Sequence, residues 1–212
     1  MHKMLFKQLF ENESCTYTYM ISCTNKKEAV LIDPVIETLD RDLQIINSLG
    51  LKLTYAIDTH IHADHVTSAS ALREITKCKV AGPANDKLKC RDINFADNDS
   101  LIIGNSIEIN AFHTPGHTDT HFSYTLDYNS EKILFSGDAS FNRCMWAGLI
   151  SNQDLSEVLY NTIKKIFYTM PDKTKVFPAH DYNNKNSSTI FHQKKDNELI
   201  DFNISLKNYI QK

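Results

Sequence analysis

The sequence predicts an α/β fold, with strands and helices layered around one continuous hydrophobic core. Three observations lead to this prediction. Runs that favour β-structure alternate with amphipathic helical stretches along the chain, and 42% of the 212 residues are hydrophobic. Metal-ligand residue types also gather where predicted strands end, which is where layered folds place their sites. No repeat or linker divides the chain, so we expect a single domain spanning residues 1–212.

The first quarter of the chain is predicted to form four strands and one helix. The helix follows from apolar residues at positions 43, 45, 46 and 49, with Gly50 placed to cap its carboxyl end. Asp33-Pro34 stops the third strand, and the fourth strand leads directly into a cluster of histidines. The predicted elements are strands over 5–10, 17–22, 29–32 and 53–57, and a helix over 40–49.

The remainder is predicted to continue the alternation of helices and strands. The clearest amphipathic helix follows Asp154, with Pro171 beyond its end. A turn at Asn129-Ser130 joins two of the later strands. The predicted helices cover 67–77 and 154–168, and the predicted strands cover 79–81, 106–112, 122–126, 132–135 and 176–177.

Composition excludes several classes of function. A net charge of -3 and scattered lysines give no electrostatic basis for binding nucleic acid or an anionic membrane. No stretch approaches the roughly 20 apolar residues of a membrane span, and the amino-terminal residues do not resemble a secretory signal. The five cysteines form no C-x-x-C pair, so we expect a reducing cytoplasm.

The run from His60 to His65 is the first candidate metal-binding segment. His60, His62, Asp64 and His65 lie between a predicted strand and a predicted helix. In extended backbone, residues two apart point the same way, so His60 and His62 are expected to reach one ion. Imidazole and carboxylate ligands suit zinc and ferrous iron. A single histidine is more often a hydrogen-bonded structural residue, but four ligand-type residues within six positions reverse that expectation.

Three later residues repeat the pattern at predicted strand ends. His117 follows a Thr-Pro-Gly turn, Asp138 follows Gly137, and His180 follows Pro178-Ala179. Pro-Gly and Gly-Asp are common turn dipeptides, so each residue alone is weak evidence. Together with the first cluster, they predict one metal site at one edge of the layered sheet.

These motifs identify the sequence as similar to the metallo-β-lactamase superfamily. Its T-H-x-H-x-D-H, T-P-G-H, G-D and late-histidine signature corresponds here to residues 59–65, 114–117, 137–138 and 180. The resemblance implies an αββα sandwich of two mixed sheets flanked by helices. Within the superfamily the chain most resembles the persulfide dioxygenases of the glyoxalase-II-like branch. The segments that carry this closer resemblance are 32–35, 37–42, 49–51, 59–65 and especially Pro178-Ala179-His180-Asp181-Tyr182.

The resemblance implies one ferrous iron per chain, held by His60, His117 and Asp138. The implied substrates are a small thiol persulfide and dioxygen, and the implied products are sulfite and the free thiol. Glutathione persulfide is the usual substrate of the family. Tyr182 is implied as a donor to the substrate sulfur, with a structural core tyrosine as an equal alternative, and Asp64 is implied to tune the substrate or bound water. The residues implied to surround the iron, or to hold a second metal, are His62, Asp64, His65 and His180.

The sequence departs from the family pattern at its substrate-channel positions. Ala147 stands where the later channel arginine of the family lies, whereas Arg143 fits the earlier one, with Cys144 and Trp146 between them. Asn197 is followed by Glu198 rather than by the usual Pro-Arg, and Thr120 replaces a usual glycine. Because arginines grip carboxylates, these changes put the identity of the thiol carrier in question more than the metal chemistry.

Two other functions remain open. A glyoxalase-II-type thioesterase would hold two metals, Zn(II) or a mixed pair, with His60, His62, His117 and Asp138 around one ion and Asp64, His65, His180 and Asp138 around the other. A non-catalytic binding protein that has kept the fold is the third possibility, but the full ligand set argues against it. Related enzymes are often dimers or tetramers, so a homo-oligomer is also among the expectations.

Overall fold

The computed structural model describes residues 4–139, 153–181, 184–197 and 201–211, without the side chains of residues 153 and 154. Two six-stranded sheets lie between helices, which confirms the predicted αββα sandwich. The helices are α1 (Leu39–Ser48), α2 (Ala69–Thr76), α3 (Gln153–Lys165), α4 (Ile190–Asp196) and α5 (Leu206–Ile210). Within the described ranges, no helix combines the length and apolar character that a membrane crossing requires.

The first sheet is built from the first half of the chain, and its strands follow sequence order. The first three strands pair antiparallel, and the next three pair parallel. Helices α1 and α2 supply two of the crossovers that parallel pairing needs. The strands are β1 (Met4–Glu11), β2 (Thr16–Cys23), β3 (Glu28–Ile32), β4 (Lys52–Ile57), β5 (Lys79–Pro83) and β6 (Ile93–Phe95).

The second sheet runs in the order β12-β11-β10-β9-β8-β7. Only β10 and β11 pair parallel, with α3 as their crossover, so this sheet is also mixed. Its strands are β7 (Ser100–Ile103), β8 (Ile107–His113), β9 (Phe122–Tyr128), β10 (Glu131–Gly137), β11 (Lys175–Pro178) and β12 (Ser188–Thr189).

Three hydrophobic clusters correspond to the three interfaces between layers. The central cluster lies between the sheets and includes Tyr19, Ile57 and Tyr124, all fully buried. A second cluster joins α1 and α2 to the outer face of the first sheet, and a third joins α3 and α5 to the second sheet. Burying both faces of each sheet explains why the parallel strands read as apolar runs rather than alternating ones.

Most predicted elements are present, with differences of up to three residues at their ends. The helix predicted over 154–168 ends at Lys165, and a separate 3₁₀ turn follows at Phe167–Thr169. The strand predicted over 79–81 continues to Pro83, because an X-Pro sequence favours extended backbone. The elements absent from the prediction are short, and they are β6, β7, β12, α4 and α5.

Turn residues explain two of the hairpins. Asn129 and Ser130 both have positive φ, as a type I′ turn requires, which confirms the predicted connection between β9 and β10. Gly104 and Asn105 form the same kind of turn between β7 and β8, a hairpin that the prediction missed. The glycine-asparagine pair was the available signal for that hairpin.

Candidate metal centre

The candidate ligands converge because each follows the end of a strand. His60 lies three residues after β4, Asp138 directly follows β10, and His180 lies just past β11. His117 sits in the turn that follows β8. A bridge between Thr16 and His180 connects the two sheets at this edge. The motifs therefore meet at one edge of the sandwich although they are spread over 121 residues.

His60, His117 and Asp138 form the most compact group. One ligand atom from each lies within 4.8 Å of the other two. The Oδ2 atom of Asp138 is 3.6 Å from His60 Nε2 and 3.3 Å from His117 Nε2. His60 and Asp138 are buried, whereas the His117 side chain remains 19% exposed. The group is therefore held inside the protein but can be approached from the His117 side.

The orientation of His60 is set by its neighbours in the histidine loop. Its Nδ1 atom lies 2.9 Å from Thr59 Oγ1, and that hydroxyl donates to Asp33 Oδ2 at 3.0 Å. Asp33 also accepts from the Thr59 backbone N–H at 2.7 Å. Because Thr59 accepts the Nδ1 proton, the lone pair of the neutral ring is at Nε2, facing Asp138. Burial lowers the pKa of His60 well below its usual range, which keeps the ring neutral.

A buried hydrogen-bond chain positions Asp138. Its backbone N–H donates to His121 Nε2 at 3.1 Å, so the His121 proton lies on Nδ1, which contacts Thr114 Oγ1 at 2.9 Å. Thr114 in turn contacts Ser123, whose hydroxyl donates to the Ser136 carbonyl. Burial lowers the pKa of His121 to about 3, so the ring stays neutral and its Nε2 remains an acceptor.

The second carboxylate oxygen of Asp138 faces another pair of residues. Its Oδ1 atom lies 3.5 Å from His180 Nε2, and the same nitrogen is 3.4 Å from Asp64 Oδ2. Burial alone would raise the pKa of Asp138, but the neighbouring His180 outweighs burial and holds that pKa far below its usual range. Asp138 is thus ionised and offers one oxygen to each side.

His62 pairs with Asp33 through one ring nitrogen and leaves the other available. Its Nε2 atom pairs with Asp33 Oδ1 at 3.1 Å, its ring lies 4.2 Å from that of His60, and its Nδ1 atom is buried without a hydrogen-bond partner among the described residues. Strand β4 ends at Ile57, so the alternation expected for extended backbone does not extend to this loop. Burial would lower the pKa of His62, but the charge and hydrogen bond of Asp33 raise it to about 9.

His65 and His180 are held by the turn between β1 and β2. Thr16 Oγ1 lies 3.4 Å from His65 Nδ1 and 3.3 Å from His180 Nδ1. The Ser14 carbonyl is 3.2 Å from His180 Nδ1 and can accept its proton. The carboxylate of Glu11 accepts from the Ser14 hydroxyl and from backbone N–H groups of the turn, which fixes its shape.

The donor set fits a divalent cation. Burial lowers the pKa of His60 and of His117, so both rings are available as neutral ligands facing an ionised carboxylate. Among the described residues, His62 Nδ1 and His65 Nε2 are buried without a hydrogen-bond partner. Buried polar atoms are rarely left in that state unless an ion or ligand satisfies them.

Several predicted substrate residues fall outside the described part of the chain. They are Tyr182, Arg143, Cys144, Trp146, Ala147 and Glu198. Thr120, the residue in place of a usual glycine, is described, and its hydroxyl donates to Asp86.

Sequence reasoning missed the residues that support the ligands. Asp33, Thr16, Thr59 and His121 all contact a predicted ligand, either directly or through one hydrogen bond. The Asp33-Pro34 motif was available as a signal for Asp33, whose φ of 50° is unusual for a residue with a side chain. Thr59 belongs to the 59–65 signature and His121 flanks the His117 turn, but neither position indicates its hydrogen-bond partner, and Thr16 carries no such signal.

Known proteins match the part of the chain that contains these motifs. The profile of the metallo-beta-lactamase superfamily matches residues 15–180. Persulfide dioxygenase ETHE1 of Mus musculus is 37% identical over 189 residues, which are 88% of this chain and 72% of the relative. A hydroxyacylglutathione hydrolase of Nitrosococcus oceani is 31% identical over 198 residues, which are 92% of this chain and 73% of the relative.

A solved structure supports the same relationship. The crystal structure of ETHE1 from Myxococcus xanthus superimposes with a TM-score of 0.87 at 37% sequence identity. The match covers 98% of this chain and 88% of that chain.

Proposed function

The chain belongs to the metallo-beta-lactamase superfamily, and we propose that it is a persulfide dioxygenase with one ferrous iron per chain. The reaction combines one thiol persulfide, one dioxygen and one water, and yields the free thiol, sulfite and two protons. The terminal persulfide sulfur is oxidised while dioxygen is reduced, and the bond between the two sulfur atoms breaks. The substrates are a small thiol persulfide and dioxygen.

The observation that carries this proposal is the group of His60, His117 and Asp138. Two imidazoles and one carboxylate are the ligand set of non-haem ferrous oxygenases, which leaves positions open for substrates. Bound ferrous iron supplies the redox chemistry between persulfide and dioxygen, which zinc lacks. The relatives at 36–37% identity that are named persulfide dioxygenases support the same activity.

Four further residues support this group and shape its approach. Asp64 pairs with both His65 and His180, His180 also pairs with Asp138, and His62 pairs with Asp33. Asp64 has the most exposed side chain of the four, at 24%, so it is the one that an entering substrate meets. We assign it the role of orienting the substrate or a water, and Tyr182 the role of donating a hydrogen bond to the substrate sulfur.

Metal content and dioxygen uptake test the proposal together. Protein purified with iron under anaerobic conditions should hold about one iron per chain and consume dioxygen when a persulfide is added. Asp138→Ala should abolish uptake and iron binding, whereas Asp127→Ala, an exposed aspartate on β9, should affect neither. Tyr182→Phe should lower kcat but leave the iron content unchanged. An iron-loaded protein that consumes no dioxygen with any persulfide would contradict the proposal.

A dinuclear thioester hydrolase is the second candidate, and one observation favours it. Asp138 offers its second oxygen toward His180 and Asp64, which is the placement expected of a carboxylate that bridges two metals. The hydroxyacylglutathione hydrolases are relatives at about 30% identity. Two metals per chain together with hydrolysis of S-lactoylglutathione, and no dioxygen uptake, would establish the hydrolase instead.

The cytoplasm is the compartment we propose for this enzyme. Cys15, Cys23, Cys78 and Cys90, the cysteines within the described residues, are all unpaired, as a reducing compartment allows. The mammalian relatives carry the word mitochondrial in their names. Recovery of the native protein in an organelle or membrane fraction rather than the cytosol would contradict the assignment.

A further inference from the structure

Three polar side chains, Arg91, Asp86 and Thr120, form a network beside the metal group. Arg91 and Asp86 are 1% and 0% exposed at their side chains, and Arg91 Nη1 lies 2.7 Å from Asp86 Oδ2. Asp86 Oδ1 accepts a hydrogen bond from the Thr120 hydroxyl. Arg91 Nη1 also donates to the Pro83 carbonyl at 2.7 Å, and a Cβ at Gly82 would collide with the guanidinium. The backbone of β5 therefore fixes the arginine in one place.

The network reaches the turn that carries His117. Thr120 lies three residues after His117, within the turn of residues 114–121 that joins β8 to β9. The Thr114 backbone N–H donates to the His121 carbonyl at 2.9 Å, which closes the turn on itself. A shift of Thr120 is therefore transmitted to His117 through a short, hydrogen-bonded segment.

The network also lies against the start of the histidine loop. Arg91 and Asp58 line the same cavity as His60, and Asp58 comes two residues before His60. Burial raises the pKa of Asp58, and the positive charge of Arg91 is among the influences that oppose this rise, so the two groups interact. Asp58 Oδ1 accepts from Thr67, beyond the loop, at 2.7 Å. One arginine thus lies between the segments that carry His60 and His117.

Other contacts hold different edges of the His117 turn. Thr162 of α3 donates to the Pro115 carbonyl at 2.6 Å. At the end of the turn, the Phe122 backbone N–H donates to the Thr59 carbonyl at 2.8 Å. Thr120 provides the contact with the connection between β5 and β6. Because the other contacts remain, loss of the Thr120 contact should shift the turn without unfolding it.

We propose that Arg91, Asp86 and Thr120 position His117 relative to His60 for metal binding. A buried ion pair adds little net stability, because the loss of hydration offsets the attraction between the charges, but in some proteins it fixes the arrangement of the groups it joins. Residues outside the ligand set that orient the ligands also set the metal affinity. This inference rests on the metal site of the proposed function and assigns positioning residues to it.

Metal affinity tests the proposal without turnover. Thr120→Val keeps the shape of the side chain but removes its hydroxyl, so it should weaken binding of ferrous iron and of cobalt(II) about tenfold. Competition with a chelator measures both affinities. The visible spectrum of the cobalt-loaded protein should also change, because its bands depend on the arrangement of the ligands. Thr120→Ser retains the hydroxyl and should restore both the affinity and the spectrum of wild type.

Thr54→Val is the matched control. Thr54 is half-buried like Thr120 and also donates one hydrogen bond, to the Ala29 carbonyl at 2.9 Å, but it lies within β4, three residues before the strand ends. Both valine variants should lower the Tm of the metal-free protein by a similar amount. Only Thr120→Val should change the metal affinity and the cobalt spectrum.

Asp86→Asn tests whether Thr120 acts through the ion pair. If it does, Thr120→Val should weaken metal binding no further in a protein that already carries Asp86→Asn, because the two changes interrupt one network. If Asp86→Asn does not fold, Arg91→Lys takes its place in the same comparison.

Three results would overturn the positioning role. They are unchanged metal affinity in Thr120→Val, an equal loss of affinity in Thr120→Ser or Thr54→Val, or additive losses for Thr120→Val and Asp86→Asn. Failure of the proposed function has a different signature. In that case wild type binds iron but consumes no dioxygen with any persulfide, while the metal affinities of the variants still decide whether the network positions His117.

Discussion

At the scale of single residues, the group of His60, His117 and Asp138 depends on side chains that are not themselves part of the group. Thr59 and Asp33 determine which nitrogen of His60 carries its proton, and His121 determines where the backbone of Asp138 lies. Outer residues of this kind orient the ligands, and through that orientation they also tune the metal affinity. Their effect should therefore be measurable without any change to a ligand.

His121→Phe should weaken iron binding. The substitution removes the acceptor of the Asp138 backbone N–H, and loss of an outer partner typically costs about 10- to 100-fold in metal affinity. The iron dissociation constant can be measured by competition with a chelator. His113→Phe is the control, because the His113 ring flanks the same turn but bonds the Asp119 carbonyl, while its backbone N–H donates to the Asp97 carboxylate. Equal losses in the two variants would contradict a specific role for His121.

Asp42 gives a prediction about pH. Burial raises the pKa of its carboxyl, and the neighbouring Arg41 only partly opposes this shift. Because the folded pKa is above the unfolded pKa, the free energy of unfolding falls as the pH rises through that interval. Asp42→Asn lacks this ionisation, so its stability relative to wild type should increase as the pH rises above about 4, the ordinary pKa of an aspartate.

Urea unfolding of both proteins across that range measures the difference. Asp40→Asn, an exposed change in the first turn of the same helix, serves as the control for charge removal. A stability difference between Asp42→Asn and wild type that does not vary with pH would refute the prediction.

At the scale of elements, the turn after β10 shows how backbone geometry positions a ligand. Gly137 has a φ of 52°, and a Cβ added there would collide with His121 and lie 3.0 Å from Thr59 Oγ1. The turn can therefore bring Asp138 against His121 and the histidine loop only if residue 137 lacks a side chain. The Gly-Asp motif thus has a steric basis as well as a chemical one.

Gly137→Ala should reduce both stability and iron content. The left-handed backbone alone costs about 1–2 kcal/mol for a residue with a Cβ, and the collision with His121 adds to that cost. Gly50→Ala is the matched control, because Gly50 has a φ of 61° but no atom within 4 Å of an added Cβ. Gly50→Ala should lower the free energy of unfolding by the backbone cost only and should keep full iron content. Equal effects of the two substitutions would show that the collision is unimportant.

At the scale of the whole molecule, the metal group links the two sheets. His60 extends from the first sheet, whereas His117 and Asp138 extend from the second, and hydrophobic side chains fill the space between them. A ligand that binds only the folded state stabilises it by mass action. Metal binding should therefore stabilise the packing of one sheet on the other.

Removal of iron should lower Tm while leaving one unfolding transition. We propose that residues 1–212 form a single domain, so calorimetry of both the iron-free and the iron-loaded protein should show one cooperative peak. At iron concentrations about 100-fold above Kd, the expected stabilisation is about 2.7 kcal/mol. Two separated transitions would contradict the single domain, and an unchanged Tm would contradict metal binding between the sheets.

The sequence by itself determined the layered fold and the residues of the candidate metal site. Strand and helix periodicity depends on local chemistry, so it is readable along the chain, and the ligands were visible because they cluster in short motifs at strand ends. The short elements, such as β6 and α5, were missed because three to five residues carry too little periodic signal.

Only the tertiary structure decided how the ligands are grouped and supported. The pairing of His62 Nε2 with Asp33 depends on where the loop leaves β4. The contacts of Thr16 with His180 and of His121 with Asp138 arise between segments separated in sequence. Such contacts depend on how the two sheets pack on each other, and local sequence patterns do not predict that packing.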